Sequence, residues 1–358
     1  MFDQILELYG LHVSDYKIAE FGSGLINHTW KVCGPENYIL QHINAGVFKD
    51  PEAIAENVAL LETYLKQTEP DYLFVAPVRS LSGKYLIKTD DGEYYRLFPF
   101  VENSVTITEI QDQKEAFEAA HQFGQFTYLL RNFDLDKLHY TLPQFHDLKL
   151  RFEQFEKACI TASSNRLIIA ANLIKDIYKH QEILFIYQQL TDHNKLPLRV
   201  IHHDTKISNV LFDKDHNGLC VIDLDTVMPG YFMSDVGDML RTYLSPANEE
   251  ERDFSRIQIN EECFYAIYKG YLSAMGTALT ATEKDYFTFA GKYMIYMQAI
   301  RFLTDFLNGD VYYHTIYAQQ NLIRAQNQLT LLGQFIKSEK RFKKFIQYFS
   351  FKHLNVVN

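Results

Sequence analysis

Three residues with chemical potential fall within twenty positions of one another: Asp204, Asn209 and Asp223, in "HHDTKISNVLFDKDHNGLCVIDLD". Asp204 and Asn209 are five apart on a stretch that precedes the strand-like "VLFD". A turn at Asn217-Gly218 leads into a second strand-like run, "CVIDLD", which reaches Asp223. Apolar residues at Ile207, Val210, Leu211, Phe212, Val221 and Ile222 call for burial, so a hairpin is predicted that brings Asn209 and Asp223 close together. Side-chain oxygens on adjacent strand ends suit a hard octahedral cation such as Mg²⁺. Asp204, on the preceding loop, is then left to act on a substrate hydroxyl. This division of labour is the one phosphoryl transfer from ATP requires: one carboxylate for the attacking hydroxyl, and an Asn and an Asp for the metal on the phosphates. The plainer alternative is a structural strand-turn-strand whose carboxylates are simply solvated.

The elements that would position these groups read as follows. A short amphipathic helix over residues 2–10 leads into strand, glycine turn, strand, turn and strand over 16–42. Gly22, Ser23 and Gly24 form the first turn, where backbone N–H groups approach phosphates closely. The next segment is a predicted helix with Asp50 as N-cap and Pro51 at its first position. Glu56 on that helix is placed to reach the third strand, where Gln41 occupies the position at which a kinase carries a phosphate-binding Lys. Gln41 bonds a phosphate without adding charge, and Lys31, His42 and Lys49 are alternative cations among which the sequence does not choose. Three further strand-like runs over 72–101 are broken at Ser82-Gly83 and at Asp90-Asp91-Gly92. "LFPFVENS" at 97–104 is the predicted junction, and its Phe98 and Phe100 are further candidates for nucleotide contacts. Beyond Asn103 the pattern turns helical over 108–132, 145–192 and 260–335. Two units follow: residues 1–100 as a nucleotide-binding lobe and 101–358 as a catalytic and acceptor-binding lobe.

The bulk properties narrow the partners. A formal net charge of −10 repels a phosphate backbone, so nucleic acid is not an expected partner. The four cysteines, at 33, 159, 220 and 263, form no CxxC pair and read as reduced buried thiols. No apolar run approaches the ~18 residues of a membrane span, and no basic-then-apolar leader opens the chain, so a cytoplasmic protein without membrane contact is expected. The basic, aromatic stretch "KSEKRFKKFIQYFSFKH" reads as an amphipathic helix docked on its own domain, with a membrane-surface helix as the alternative.

These residues resemble the aminoglycoside phosphotransferase/choline kinase-like superfamily, and within it most closely the N-acetylhexosamine 1-kinase group. The carrying motifs span residues 22 to 328: "GSGLINHTW", "YILQHIN", "VFKDPEAIAENV", "YYRLFPFVENS", "LPQFHDLKLRF", "HHDTKISNVLFD", "CVIDLDTVMPG", "SDVGDMLR", "RFLTDFLNGDVYY" and "NLIRAQNQ". The resemblance implies an α+β, two-lobed protein-kinase-like fold, with ATP between a β-rich N-terminal lobe and a mainly helical C-terminal lobe. It implies Asp204 as catalytic base and Asn209 and Asp223 as Mg²⁺ ligands. Asp225 is either a second metal contact or a structural acceptor, and Asp235 an anchor of the catalytic loop. The group shares the Gln at position 41. For the acceptor, resemblance points to Arg301 and Tyr312, residue types that offer a planar hydrogen-bonding fork and an aromatic face. His146 is a weaker candidate. The alternative for this cluster is packing, with Tyr312 in the core and Arg301 paired to Asp305. The implied activity is phosphorylation of the anomeric hydroxyl of an N-acetylhexosamine. The alternative is the same chemistry on another small alcohol: choline or ethanolamine, homoserine, methylthioribose or an aminoglycoside. The oligomeric state is not legible.

Overall fold

The computed structural model describes residues 2–22 and 26–354, the side chains of 350–354 excepted. It shows the α+β kinase-like arrangement, a sheet lobe followed by a helical lobe. The sheet is antiparallel, in the order β1-β2-β3-β5-β4: β1 Lys17–Glu20, β2 His28–Cys33, β3 Tyr38–Ile43, β4 Ile87–Lys88 and β5 Tyr94–Pro99. One face is covered by the short helix α1 (Phe2–Glu7), whose Ile5 and Leu6 pack with Val32, Leu40 and Leu97. Helix α2 (Pro51–Thr68) begins where its cap predicts: the Asp50 carboxylate accepts from Ala53 N at 3.0 Å and Pro51 occupies the first turn.

Residues 72–80 are not the predicted strand. The segment is extended, but Pro77 has no N–H to give a ladder, and only Val78 N bonds the sheet, to Leu97 O at 2.6 Å. The long helical stretch 145–192 divides into α4 (Leu148–Thr161), α5 (Ser164–Lys179) and α6 (Glu182–Thr191). The divisions are chemical: Asp147 caps α4 and Ser163 caps α5.

Between α6 and the last helices lies the β-like exception. β7 (Arg199–Ile201) pairs with β10 (Met228–Gly230), and β8 (Val210–Phe212) forms the predicted hairpin with β9 (Gly218–Val221). The two-residue strand β6 (Val105–Thr106) joins the hairpin edge. Helix α7 (Phe232–Tyr243) follows and was not predicted, although Phe232, Met233, Val236, Met239, Leu240 and Tyr243 carry a helical period and are all buried.

The helical lobe is organised on α10 (Phe287–Leu307), which buries 18 of its 21 residues and is therefore enclosed on every side. Around it pack α4, α7 and α11 (Gln320–Leu354), with α9 (Ala281–Asp285) leading in. The basic tail belongs to α11 and docks on its own lobe: Phe342 stacks on Phe264 at 3.8 Å and Phe345 on Tyr265 at 4.1 Å. The four thiols are free, but Cys33 is exposed and Cys159 half-buried, because they lie on the edges of β2 and α4. No described helix is long and apolar enough to cross a membrane.

Helices α3 (Gln113–Leu129) and α8 (Glu261–Met275) cross at unusually close range through glycine. A Cβ on Gly270 would lie 2.2 Å from the carbonyl oxygen of Phe117, a backbone atom with no rotamer to yield. Alanine is the better helix former by about 1 kcal/mol, but forcing two helices apart costs about 1–3 kcal/mol. We expect Gly270→Ala to lower the melting temperature by several degrees in thermal unfolding followed by circular dichroism. An unchanged or raised midpoint would mean that α3 and α8 separate freely.

Candidate active site

The loop after β7 is fixed by the helix that follows it. Asp235, in the first turn of α7, is fully buried and accepts from His202 N at 2.8 Å and His203 N at 2.7 Å. Asp238, one turn on, accepts from Thr205 N at 3.0 Å, and Thr205 Oγ1 donates back to Asp235 O at 2.8 Å. Burial pushes the Asp235 carboxyl up to about 6, against His202 and the two amides that favour its charged form. These bonds hold His203 at φ 66°, a left-handed conformation that a residue with a Cβ adopts only under constraint. The His203 ring lies against Gly230, where a Cβ would come within 2.5 Å of it. Burial drives His203 down to about 3, so the ring is neutral.

Asp204 leaves this loop about one-third exposed, at 32 % of its side chain. Its Oδ2 accepts from Asn209 Nδ2 and from Lys206 Nζ, both at 3.0 Å. Burial works to raise its pKa, but Lys206 and His202 prevail and hold it below the usual carboxylate value. The group is thus ionised and hydrogen-bonded, ready to accept a proton or orient a hydroxyl. The hairpin does what its pattern predicts: Ile222 N donates to Asn209 O at 2.8 Å, which sets Asn209 beside the residue preceding Asp223. With its Nδ2 committed to Asp204, Asn209 has Oδ1 left as a ligand atom. Asp223 takes φ 62° and is exposed to the cleft. The surrounding protein raises its pKa first, and the charges of Asp225 and Asp204 add to this, so a cation beside it is favoured.

The sheet lobe reaches this loop through a residue the sequence reading passed over, Arg96 on β5. Its guanidinium is buried and grips Asp225 in a fork, Nη1 to Oδ1 at 2.5 Å and Nη2 to Oδ2 at 2.9 Å. Asn27 adds a third donor to Asp225 Oδ2 at 2.9 Å. Asp225 is therefore placed as a structural acceptor. Gln41 stands opposite Arg96 in the β3–β5 register and accepts from its Nε and Nη2 at 3.1 and 2.9 Å. Gln41 thus orients a cation. Of the alternatives, Lys31 lies 3.6 Å above the Phe100 ring, His42 is bonded to Glu93 at 2.5 Å, and Lys49 is exposed. The signal for Arg96 was a lone charge inside the apolar run "YYRLFPF".

Glu56 does not reach the third strand. It is exposed and bonded to His139 Nε2 at 2.8 Å, because α2 turns the neighbouring Asn57 inward, where its amide donates to His139 O and Val227 O. Gly22 has φ 77° and open space around it, while Ser23 and Gly24 lie outside the described residues. Phe98 is half-buried against Val75, Leu211 and Cys220, and Phe100 meets Phe21 edge-on at 6.3 Å.

On the helical lobe, the Ser234 hydroxyl bonds both His146 Nδ1 and His203 Nδ1. Burial, then His203 and Arg301, hold His146 far below the usual histidine value. Arg301 does not pair with Asp305. That carboxylate accepts from the backbone N–H groups of Val311, Tyr312 and Tyr313 and from Asn321. Arg301 instead faces the rings of Phe145, Tyr312 and Tyr313 at 5.2, 5.9 and 5.6 Å. Tyr312 is 67 % exposed, so it is not core. Arg301 and Tyr312 line a cavity of about 540 Å³. The cavity wall does not include Asp204; Phe145 and His146 stand between, stacked at 4.2 Å, with His146 5.5 Å from His203.

Removing one partner of a buried ion pair strands the other, at about 3–5 kcal/mol. We expect Arg96→Met to lose stability on that scale and to weaken nucleotide binding. Adding Asp225→Leu should restore part of the stability and none of the binding. A double-mutant cycle by denaturant unfolding, paired with calorimetric ATP titration, measures both. Strict additivity of the two substitutions would show that the pair is uncoupled.

The family model of the phosphotransferase enzyme family (APH) matches residues 17–258. Among solved structures, the chain is similar to the microcompartment-associated aminopropanol kinase, with 16 % identity, a TM-score of 0.64, and 94 % of this chain and 97 % of that one covered. It is similar to an amicoumacin kinase solved with AMP-PNP and Ca²⁺, with 14 % identity, a TM-score of 0.63, and 93 % and 92 % covered. It is also similar to choline kinase from Cryptosporidium parvum Iowa II, with 14 % identity, a TM-score of 0.55, and 96 % of each chain covered. With Asp204, Asn209 and Asp223 gathered at one cleft on a kinase-like fold, and the family match extending over both lobes, the chain belongs to the APH phosphotransferase enzyme family.

Proposed function

We propose that this chain is an ATP-dependent kinase that phosphorylates the anomeric hydroxyl of an N-acetylhexosamine, giving the sugar 1-phosphate. The observation that carries the reading is an ionised Asp204 beside Lys206 and Asn209, with a cavity beyond Phe145 and His146 whose wall offers an arginine fork and a tyrosine face. Asp204 orients the attacking hydroxyl and accepts its proton. Lys206, bonded to Asp204, brings a cation to where the transferring phosphoryl carries charge. The donor set fits Mg²⁺, which takes one or two protein oxygens and completes its shell with phosphates and water. Asn209 Oδ1 and the Asp223 carboxylate would hold it, and when bound it neutralises charge on the phosphates.

The aminopropanol and choline kinases among the similar structures support a small hydroxyl-bearing acceptor, and they also raise the second reading, an amino alcohol. A cationic acceptor needs free carboxylates in its pocket. Here the wall carries Arg151, Lys157 and Arg301, and its one carboxylate, Asp305, is taken up by four N–H groups. That charge distribution favours a sugar over an ammonium alcohol. A panel of free sugars and amino alcohols with MgATP, read by phosphorus NMR, tests the assignment. An anomeric phosphate on an N-acetylhexosamine is expected, and phosphorylation of amino alcohols alone would refute it.

We expect Asp204→Asn to reduce kcat by about 10²–10⁴-fold while calorimetric ATP affinity is kept. Turnover near that of the unmodified chain, with an unchanged melting curve, would remove Asp204 from the mechanism. Asp223→Ala should abolish the Mg²⁺-dependent part of nucleotide affinity. The same Mg²⁺-dependent gain in affinity in both proteins would place the metal elsewhere.

A further inference from the structure

The acceptor cavity is charged against the rest of the chain. The formal net charge is −10, yet Arg151, Lys157 and Arg301 share one cavity wall. None of the three is in an ion pair among the described residues. Arg301 makes a single hydrogen bond, to Gln298 Oε1 at 3.3 Å. Arg151 donates to Gln154 Oε1, Gln144 O and Phe145 O at 3.1, 3.2 and 3.0 Å, and its Nε–H is buried without an acceptor. Burial and then the charge of Arg301 pull the Arg151 pKa down, only partly offset by Tyr313, Tyr312 and Asp147. Asp147, the carboxylate next in sequence, caps α4 through Lys149 N and Leu150 N.

We infer that this cavity receives an oxyanion carried by the acceptor sugar, a carboxylate, sulfate ester or phosphate ester on the side of the ring away from the anomeric carbon. The preferred acceptors are then acidic N-acetylhexosamines. The inference rests on the anomeric-kinase reading for the position of the reacting hydroxyl. Planar guanidiniums match oxyanions in bidentate geometry. An anion between Arg151 and Arg301 would cancel their repulsion and give the buried Nε–H its acceptor. The cavity, at about 540 Å³, is of a size that holds a small ligand. Arg301 lies two aromatic residues from the loop of Asp204, through Phe145 at 5.2 Å and then His146. A sugar whose anomeric carbon meets Asp204 points its far substituents toward the three cations.

The test compares N-acetylglucosamine with its 6-sulfate, its 6-phosphate and the corresponding 6-carboxylate, using the full chain and MgATP. Turnover is read by ADP release and binding by calorimetry. A charged hydrogen bond is typically stronger than a neutral one, and we expect kcat/KM about tenfold or more higher for at least one acidic sugar. The three acids show which oxyanion fits. Lys157→Gln, an exposed site, should shrink that ratio several-fold through KM, with the melting curve unchanged. A neutral sugar used as well as every acidic one overturns the inference and leaves the anomeric-kinase reading standing. Acidic sugars that bind, more weakly in Lys157→Gln, without any sugar being phosphorylated would uphold the anion site and sink the anomeric-kinase reading. Acidic sugars that are neither bound nor turned over would overturn the inference.

Discussion

A guanidinium removed from water must find a carboxylate, and in this protein that requirement joins the two lobes. Arg96 rises from the centre of the sheet and closes a buried fork on Asp225, two residues beyond the candidate metal ligand Asp223. Both partners are almost wholly buried, so the pair is costly to break by halves. Gln41 and Asn27 complete it, one steering the guanidinium and the other the carboxylate. The sheet and the Asp223 loop are thereby held in one frame. The residue opposite Gln41 in the β3–β5 register is thus a cation whose charge is taken up by Asp225.

The loop of Asp204 is held by a second buried carboxylate, one in no ion pair among the described residues. Asp235 accepts from two backbone amides, and Asp238 extends the clamp to Thr205. The clamp keeps His203 in a left-handed conformation, and Asp223 adopts the same region on the facing segment. Strain of this kind costs about 1–3 kcal/mol for each residue and persists only where neighbours over-determine it. Rigid placement of Asp204 is what that cost secures.

The two ends of the site differ in charge. At one end, Asp204, Asp223 and Asp225 face Lys206 and Arg96, a surplus of negative charge that a bound divalent cation would offset. In the cavity beyond Phe145 the cations have no such partners. Ser234, bonded to His146 and His203, ties the segment before α4 to the loop that bears Asp204. Arg301, Phe145, His146 and His203 are thus successive neighbours leading to the loop that carries Asp204.

Much of this was written in local order. The Asp50-Pro51 start of α2, the hairpin joining Asn209 to Asp223, and the helical character of the second half depend on caps, turns and periodicity over a few residues, which are visible in a linear chain. Asp204, Asn209 and Asp223 are spaced by one loop and one hairpin, so their meeting was also legible. Arg96 was not, because its partner is 129 residues away and nothing in the spacing links them. Glu56 failed for a related reason: whether a helix turns position 56 or 57 inward is set by the lobe it docks on, and here Asn57 finds buried carbonyls at His139 and Val227. The sequence by itself determined that Asp204, Asn209 and Asp223 would stand together, and it marked the loop and hairpin that bear them. Only the tertiary structure decided where the charges are cancelled and where they are left open, because burial and long-range pairing, not residue type, decide whether a cation such as Arg96 is spent inside the fold or, like Arg301, remains for a ligand.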